Sequence, residues 1–406
     1  MASTEQPLPD FAALLAQLSA IGSTGDGGVD RVEGSPANGE ARRWLVARMQ
    51  EHGFTVSVDA IGNIFGRIGP KGRAVMTGSH IDSQPKGGRL DGAYGVLASL
   101  VAARAVAARG GLKRGLVVVA WTGEEGARFQ PSLVGSSVYA GTRALDWTLA
   151  RRDGDGISVA EALDGIGFRG TDPAPPHPAA YVELHVECAS ELERKGARLG
   201  VFDAWWGAHK LEVEIAGATS HTGPTPMAER RDALAAAAEV IVHLRKIADR
   251  ARPGTLHTSV GRLEVVPNSP NVVPGRVTMF VELRSASAAI MAKARRSLDL
   301  ALERACSGLA VSWKVRRDEL RPPGRFAPRL RTLARETAGG LGHEPLPLST
   351  IAAHDAMPLA TVCPSLVIAV PSREGLCHSP REWTDPADLQ LGVDWLTAML
   401  DRLTRG

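Results

Sequence analysis

The feature that most constrains the fold is an apolar helical stretch followed closely by an apolar strand. Residues 93–108 form a helical pattern with Arg104 as its only charge, and residues 116–120 read Leu-Val-Val-Val-Ala. A helix that is apolar on most of its surface is buried, and a continuous β-branched run is typical of a strand covered on both faces. A further apolar run ends at Met76. This strand, helix, strand order predicts an α/β fold with a mostly parallel sheet sandwiched by helices.

Polar side chains stand near the carboxyl ends of these predicted strands. His80 and Asp82 follow the run that ends at Met76, and Glu124 and Glu125 follow residues 116–120. Ligands of such sheets bind at the carboxyl ends of the strands. A polar strand end and turn would explain each position taken alone. However, adjacent glutamates at the tip of a buried strand need a cation or a shared proton.

The predicted strand ends together contribute imidazoles and carboxylates but no cluster of thiolates. The set comprises His80, Asp91, Glu124, Glu125, His185 and His378. Such donors suit Zn, Mn, Co or Ni. A bridging aspartate with two further ligands on each side is what a two-metal hydrolytic site requires. We therefore expect two divalent metal ions per chain.

The pattern changes after about residue 210. Shorter alternating strands and an alanine-rich helix follow in the order strand, helix, strand, strand, helix. This order predicts a small two-layer α+β domain inserted into the first domain. After residue 321 the pattern returns to long helices and a buried strand at residues 365–370. We therefore predict a catalytic domain from residues 1–209 and 322–406 and an inserted domain from residues 210–321.

Composition narrows the partners. The 47 basic residues against 44 acidic ones are scattered rather than gathered into a stripe, so we expect a small-molecule partner and no nucleic acid. No apolar run reaches membrane-spanning length, and residues 1–19 lack the pattern of a secretory signal. The four cysteines show no zinc or disulfide spacing. We expect a cytoplasmic protein with no membrane partner.

Six groups of short motifs carry a family resemblance that covers nearly the whole chain. They lie at residues 78–92, 124–129, 183–187, 221–233, 267–275 and 354–356. Together they resemble the motifs of the M20 metallopeptidase superfamily, in the branch of N-carbamoyl-L-amino-acid hydrolases, allantoate amidohydrolases and β-ureidopropionases.

The resemblance implies roles for particular residues. His80 and His185 would hold one metal, Glu125 and His378 the other, and Asp91 would bridge them. Glu124 would be the general base. Independently of the resemblance, the place of Asp82 two residues after His80 predicts that its carboxylate orients this histidine.

The resemblance also implies that the inserted domain is a lid and a dimerisation surface in a homodimer. His221 would be an oxyanion donor, supplied by the partner subunit. Asn271 and Arg284 would hold the carboxylate of a small-molecule substrate, and His354 would line the substrate site.

The sequence departs from this branch at two places. The branch usually has Gln-Gly-Pro after Glu-Leu-His-x-Glu, whereas residues 188–190 are Cys-Ala-Ser, so Cys188 stands where a substrate-binding glutamine is expected. A loop that is usually Ser-Gly-Ala-Gly is Thr-Ile-Ala-Ala at residues 350–353. Cys377 precedes His378, which predicts two thiols near the metals.

The leading hypothesis is a metal-dependent amidohydrolase that cleaves an N-carbamoyl or ureido amino acid and releases the amino acid, CO2 and ammonia. The runner-up is an N-acyl amino acid or dipeptide hydrolase of the same superfamily. A catalytically silent, ligand-binding relative is the third hypothesis, and it would require a broken ligand set. The substrate side chain, the native metal and the stereochemical preference stay open.

Overall fold

The computed structural model describes residues 10–406. Residues 1–9 lie outside the described residues. Two predictions fall partly on them, namely the start of the catalytic domain and the lack of a secretory signal in residues 1–19. Residues 10–206 contain the following elements: α1 (Phe11–Ala20), α2 (Pro36–Glu51), β1 (Thr55–Val58), β2 (Ile64–Ile68), β3 (Val75–His80), α3 (Ala93–Ala108), β4 (Leu116–Trp121), α4 (Val134–Tyr139), α5 (Leu145–Leu149), α6 (Val159–Ile166), β5 (Ala180–Val186), α7 (Glu191–Lys195) and β6 (Gly200–Trp205).

The remainder of the chain continues in the same numbering. Its elements are β7 (Gly207–Ala216), β8 (Ser220–His221), α8 (Ala233–Arg250), β9 (His257–Val266), β10 (Val272–Val273), β11 (Arg276–Ser285), α9 (Ala288–Gly308), β12 (Ser312–Arg321), β13 (Gly324–Arg325), α10 (Pro328–Gly340), β14 (Leu346–Thr350), α11 (Ala356–Leu359), β15 (Ser365–Val370) and α12 (Pro386–Arg405). Single 3-10 turns occur at Met227–Glu229 and Arg373–Gly375.

The large sheet has the strand order β1-β2-β4-β3-β5-β15-β6, and β13 and β14 pair with β6. Its four central strands, β4, β3, β5 and β15, are mutually parallel. The flanking strands β1, β2 and β6 pair antiparallel. Helix α3 packs against β3, β4 and β5, and α10 and α12 pack against β15. The predicted α/β class, with a mostly parallel sheet between helices, is confirmed.

The chain forms two compact units. The first comprises Asp203 with the described residues before it, Phe326–Leu348 and Ala352–Gly406, and the second comprises Ala204–Arg325 and Ser349–Ile351. Within the second unit, an antiparallel sheet in the order β12-β7-β11-β9 packs against α8 and α9. The segment predicted as an inserted domain, residues 210–321, falls inside this unit. Its roles as a lid and a dimerisation surface stay predictions.

Two local expectations differ from the structure. The sequence pattern of the inserted segment omits β12, because its many charged residues hide the pattern of a strand, and its position is determined by pairing with β7. The charged residues of β12 are Lys314, Arg316, Arg317, Asp318, Glu319 and Arg321. The glycine-rich residues 22–39 predict a loop that leads into a helix from residue 40, but α2 already begins at Pro36. Ser35 accepts a hydrogen bond from the Asn38 amide, and proline is well suited to a first helical position.

Within residues 10–406, no helix combines the length and apolarity that crossing a membrane requires.

Candidate metal centre

The parallel arrangement of β4, β3, β5 and β15 brings their carboxyl ends to one edge of the sheet. His80 is the last residue of β3, and His185 lies near the end of β5. Glu124 and Glu125 lie in the turn after β4, and His378 lies in the loop after β15. The predicted donors therefore meet in the first unit because their strands are neighbours in the sheet.

One group of donors forms around Oδ1 of Asp91. Nε2 of His80 lies 3.5 Å from this oxygen, and Nε2 of His185 lies 3.2 Å from it. The other ring nitrogen of each histidine contacts a main-chain carbonyl. Nδ1 of His80 lies 3.0 Å from the Asp82 carbonyl oxygen, and Nδ1 of His185 lies 2.9 Å from that of Val186. A proton on Nδ1 of each ring satisfies these carbonyls, so each Nε2 presents its lone pair towards Asp91. The Gly92 amide also donates a hydrogen bond to Nε2 of His185 at 3.3 Å, and a cation would replace this bond.

A second group forms around Oδ2 of Asp91. Nε2 of His378 lies 3.3 Å from this oxygen and 3.0 Å from Oε2 of Glu125. Ligands at about 2.0–2.2 Å from a tetrahedral ion are about 3.3–3.6 Å apart, so the spacing in both groups is close to that of an ion's ligands. Asp91 thus presents one oxygen to each group, and both groups could hold a metal ion.

Glu124 is buried beside the first group. Its Oε2 lies 3.7 Å from Nε2 of His80, and among the described residues Oε1 has no hydrogen-bond partner. Burial raises the pKa of Glu124 well above its usual range, and the charge of His80 offsets this only in part. A buried carboxyl oxygen without a partner is costly unless it has a further function.

The electrostatics of the centre favour a bound cation. Hydrogen bonds to Asp91 and Glu125 raise the pKa of His378 to about 11. Burial works against a charged His185, but the bonds to Asp91 outweigh it and raise the pKa of His185 to about 9. Burial likewise works against a charged Asp91, yet its histidine partners hold the pKa of Asp91 well below its usual range. The carboxylates therefore attract positive charge, as protons or as metal ions.

The turn that carries Glu124 and Glu125 is held by carboxylates beneath it. Oδ1 and Oδ2 of Asp82 accept the amides of Glu124 at 3.2 Å and Glu125 at 3.3 Å. Oε2 of Glu33 accepts the amide of Gly123 at 2.8 Å, and the buried Arg42 forms an ion pair with Glu33 at 2.9 Å. Asp82 therefore connects His80 to the glutamate turn.

The loop that carries Asp91 is held by Glu382, a residue that sequence reasoning missed. Oε2 of Glu382 accepts the amides of Leu90 at 2.6 Å and Asp91 at 3.2 Å. A Cβ at Gly88 would lie 2.1 Å from the same oxygen. Glu382 follows His378 closely in the chain, and this proximity is the only sequence signal that could have identified it.

Gly92 and Gln84 also shape the centre. Gly92 has a φ of 66°, and a Cβ there would lie 2.4 Å from Cε1 and Nε2 of His80, so glycine is required next to Asp91. Nε2 of Gln84 donates to Oε2 of Glu125 at 2.9 Å. Sequence reasoning assigned no role to Gln84, which carries no signal beyond its place near His80.

Two residues predicted to contact substrate lie in the same unit as the donors. Sγ of the half-buried Cys188 lies 4.0 Å from Oδ2 of Asp91. His354 is buried, with its ring centroid 4.8 Å from that of His185 in an edge-on contact. Both residues therefore touch members of the donor groups.

The other three predicted site residues lie in the second unit. His221 and Asn271 are brought close to each other because β8 pairs with β10, with His221 opposite Val272. Nδ1 of His221 accepts the amide of Gly223 at 3.0 Å, so the neutral ring carries its proton on Nε2. Arg284 pairs with Glu282 at 2.8 Å.

An α/β sheet with imidazoles and carboxylates at its strand ends is typical of metal-dependent hydrolases. The model of peptidase family M20/M25/M40 matches residues 76–402, and the chain belongs to this family. The resemblance drawn from the motifs is thereby confirmed.

Individual relatives match over nearly the full length. The chain is 34% identical to an N-carbamoyl-L-amino acid amidohydrolase of Geobacillus stearothermophilus, with 97% of each chain covered. It is 31% identical to the allantoate amidohydrolase of Bacillus subtilis, over 99% of this chain and 98% of the relative. A crystal structure of a hydantoinase/carbamoylase family amidase from Burkholderia vietnamiensis superposes with a TM-score of 0.90 at 34% identity, with 99% of each chain covered.

Proposed function

We propose that this chain is a metal-dependent amidohydrolase that cleaves the C–N bond of an N-carbamoyl or ureido amino acid and releases the amino acid, CO2 and ammonia. The observation that carries the proposal is the pair of donor groups that share Asp91, with the buried Glu124 beside them. Relatives named for N-carbamoyl-L-amino acids and for allantoate support this class of substrate.

The residues present fit two divalent ions. His80 and His185 with Oδ1 of Asp91 would hold one ion, and Glu125 and His378 with Oδ2 of Asp91 would hold the other. Nitrogen and oxygen donors of this kind suit Zn, Mn, Co or Ni. When bound, the ions supply Lewis acidity that polarises the scissile carbonyl and makes water more acidic.

Glu124 would move the proton in this reaction. Its unpartnered Oε1 is placed to accept a proton from the attacking water and to pass it to the departing nitrogen. Asp82 would fix the position of Glu124 through its amide hydrogen bond.

The second unit would bind the substrate. His221, with its proton on Nε2, would donate a hydrogen bond to the oxyanion from the partner subunit of a homodimer. Asn271 and Arg284 would hold the substrate carboxylate, for which a planar guanidinium is well suited. The dimer, the shared site and the cytoplasmic location stay predictions.

The second candidate is an N-acyl amino acid or dipeptide hydrolase of the same family. The observation that favours it is Cys188, which stands where the carbamoylase branch usually has glutamine and lies 4.0 Å from Asp91. A thiol lacks the amide donor and acceptor that would pair with a carbamoyl group. If this candidate is right, Cys188→Gln should raise activity on N-carbamoyl amino acids relative to N-acyl amino acids.

The first experiment compares the two neighbouring glutamates. Glu124→Gln should keep its metal and lose turnover by on the order of a hundredfold or more, because a positioned proton shuttle is removed. Glu125→Gln should lose metal as well as turnover. Metal content by mass spectrometry and turnover of N-carbamoyl, ureido and N-acyl amino acids would be measured after reconstitution with Mn, Co, Ni and Zn.

Three results would count against the proposal. Full activity after chelation would show that the reaction needs no metal ion. Normal turnover by Glu124→Gln would show that Glu124 is not the general base. We call the pair Asn271 and Arg284 the carboxylate clamp. If a substrate carboxamide is hydrolysed as fast as the free acid, this clamp does not bind the substrate carboxylate.

A further inference from the structure

A pair of thiols faces the donor groups. The Sγ atoms of Cys188 and Cys377 and a carboxylate oxygen of Asp91 all lie within 4.8 Å of one another. Cys188 is in the loop after β5 and Cys377 is in the loop after β15, and these parallel strands are neighbours in the sheet. Both cysteines are free and half-buried. The proposed reaction uses neither thiol as a ligand.

Main-chain carbonyls and the carboxylate of Asp91 both contact the thiols. Sγ of Cys188 lies 3.8 Å from the carbonyl oxygen of Val186, and Sγ of Cys377 lies 3.9 Å from that of Glu187. The same Cys188 sulfur lies 4.0 Å from Oδ2 of Asp91. Two sulfurs and one carboxylate oxygen thus converge on one point, where a cation would need only small side-chain movements.

We propose that Cys188, Cys377 and Asp91 form a site for a thiophilic divalent cation, such as Cd²⁺ or Zn²⁺. Sulfur ligands favour soft ions, whereas the imidazole and carboxylate groups also accept harder ions such as Mn²⁺. On binding, each thiol releases its proton to solvent and its sulfur contacts the cation.

The site shares Oδ2 of Asp91 with His378, which lies 3.3 Å from it. A cation on the thiol pair and one held by Glu125 and His378 would therefore compete for the same oxygen. The chain would in this way distinguish soft from hard divalent ions, and a soft ion would displace a hard one from the Glu125 and His378 group. The inference rests on the proposed function only through Asp91 and does not depend on which bond is cleaved.

The test uses the reduced, metal-free full-length protein and Cd²⁺, with Mn²⁺ as the hard ion for comparison. Cd²⁺ should produce a thiolate-to-cadmium absorption band in the ultraviolet. Cys188→Ser/Cys377→Ser should lose the band and bind Cd²⁺ about tenfold or more weakly, since even outer partners of metal ligands contribute that much. Its Mn²⁺ affinity should change by less than this. Cys363→Ser is the matched control, because the Cys363 thiol is buried against Ser365 and the Leu359 carbonyl, and it should keep the band.

A second measurement uses the unmodified protein, so its result does not depend on whether the variants fold. Cd²⁺ should protect Cys188 and Cys377 from alkylation, as mapped by peptide mass spectrometry, and Mn²⁺ should not. An unchanged cadmium band in the double variant would overturn the proposal, as would equal losses of Cd²⁺ and Mn²⁺ affinity. Failure of the proposed hydrolysis would leave these binding results unchanged, so the two conclusions are separable.

Discussion

Replacing Gly88 by alanine tests how the loop that carries Asp91 is held. A Cβ at residue 88 would lie 2.1 Å from Oε2 of Glu382. That oxygen accepts the amides of Leu90 at 2.6 Å and Asp91 at 3.2 Å. Gly88 has no positive φ, so the effect of alanine is steric rather than conformational. The alanine must therefore push Glu382 away from both amides.

The expected cost follows from these two hydrogen bonds. Burial raises the pKa of Glu382 to about 7, so its carboxyl is only partly charged near neutral pH. A hydrogen bond between neutral groups is worth about 0.5–1.5 kcal/mol, so losing two bonds in Gly88→Ala should lower the free energy of unfolding by about 1–3 kcal/mol. A loosened Asp91 should weaken divalent metal binding by about 10–100-fold. Urea unfolding and metal titration measure the two effects. Gly154→Ala is the matched control, since a Cβ there meets nothing within 4 Å, and it should change stability by less than about 0.5 kcal/mol.

A double variant tests the proposed cause. Glu382→Ala removes both the carboxylate and the clash, so Gly88→Ala should cost little in its presence. The two changes should therefore be non-additive by about 1 kcal/mol or more. Additive effects, or a Gly88→Ala variant that resembles Gly154→Ala, would refute the reasoning.

Two further predictions concern the same unit. Arg42→Met should lower the free energy of unfolding in urea by about 3–5 kcal/mol, because it leaves the buried Glu33 without its ion pair. Arg48→Met removes a partly exposed pair with Glu51 in the same helix and should cost less than about 1 kcal/mol. Similar losses in the two variants would contradict this prediction. Metal affinity should rise with pH through the neutral range, because below the raised pKa values of His185, about 9, and His378, about 11, a cation must displace a proton. Calorimetric titration in buffers of different ionisation enthalpy should detect proton release, and its absence at pH 7 would contradict the prediction.

The strand ends of the first unit could be predicted because they depend on local pattern. The apolar runs of β3, β4 and β15 and the helix α3 are continuous in sequence, and the parallel order brings their carboxyl ends together whatever the rest of the chain does. The sequence alone therefore places His80, Glu124 and Glu125 near one another.

The parts that could not be predicted depend on contacts between distant residues. Glu382 and Leu90 are 292 positions apart, and no local pattern connects them. Strand β12 is stabilised by its pairing with β7 rather than by its own apolar content. Tertiary pairing determined each of these features.

Glu282 gives a test of the carboxylate clamp that does not remove the clamp itself. Its Oε1 lies 2.8 Å from Nη2 of Arg284 and 3.8 Å from Nζ of Lys210. If Arg284 holds the substrate carboxylate, Glu282 competes with the substrate for the same guanidinium. The side chains of Arg284 and Glu282 are 24% and 25% exposed, so their interaction is partly screened and is worth about 0.2–1 kcal/mol.

Glu282→Gln should therefore lower KM for a carboxylate-bearing substrate by about 1.4–5-fold and leave kcat unchanged, because 1.4 kcal/mol corresponds to a tenfold change in affinity. The carboxamide analogue should show no such change. Glu264→Gln is the matched control, since Glu264 pairs with Arg262 two residues away on the neighbouring strand β9, and it should leave both constants unaltered. If KM rises, or if the acid and its carboxamide respond equally, Arg284 serves the fold of the second unit rather than the substrate.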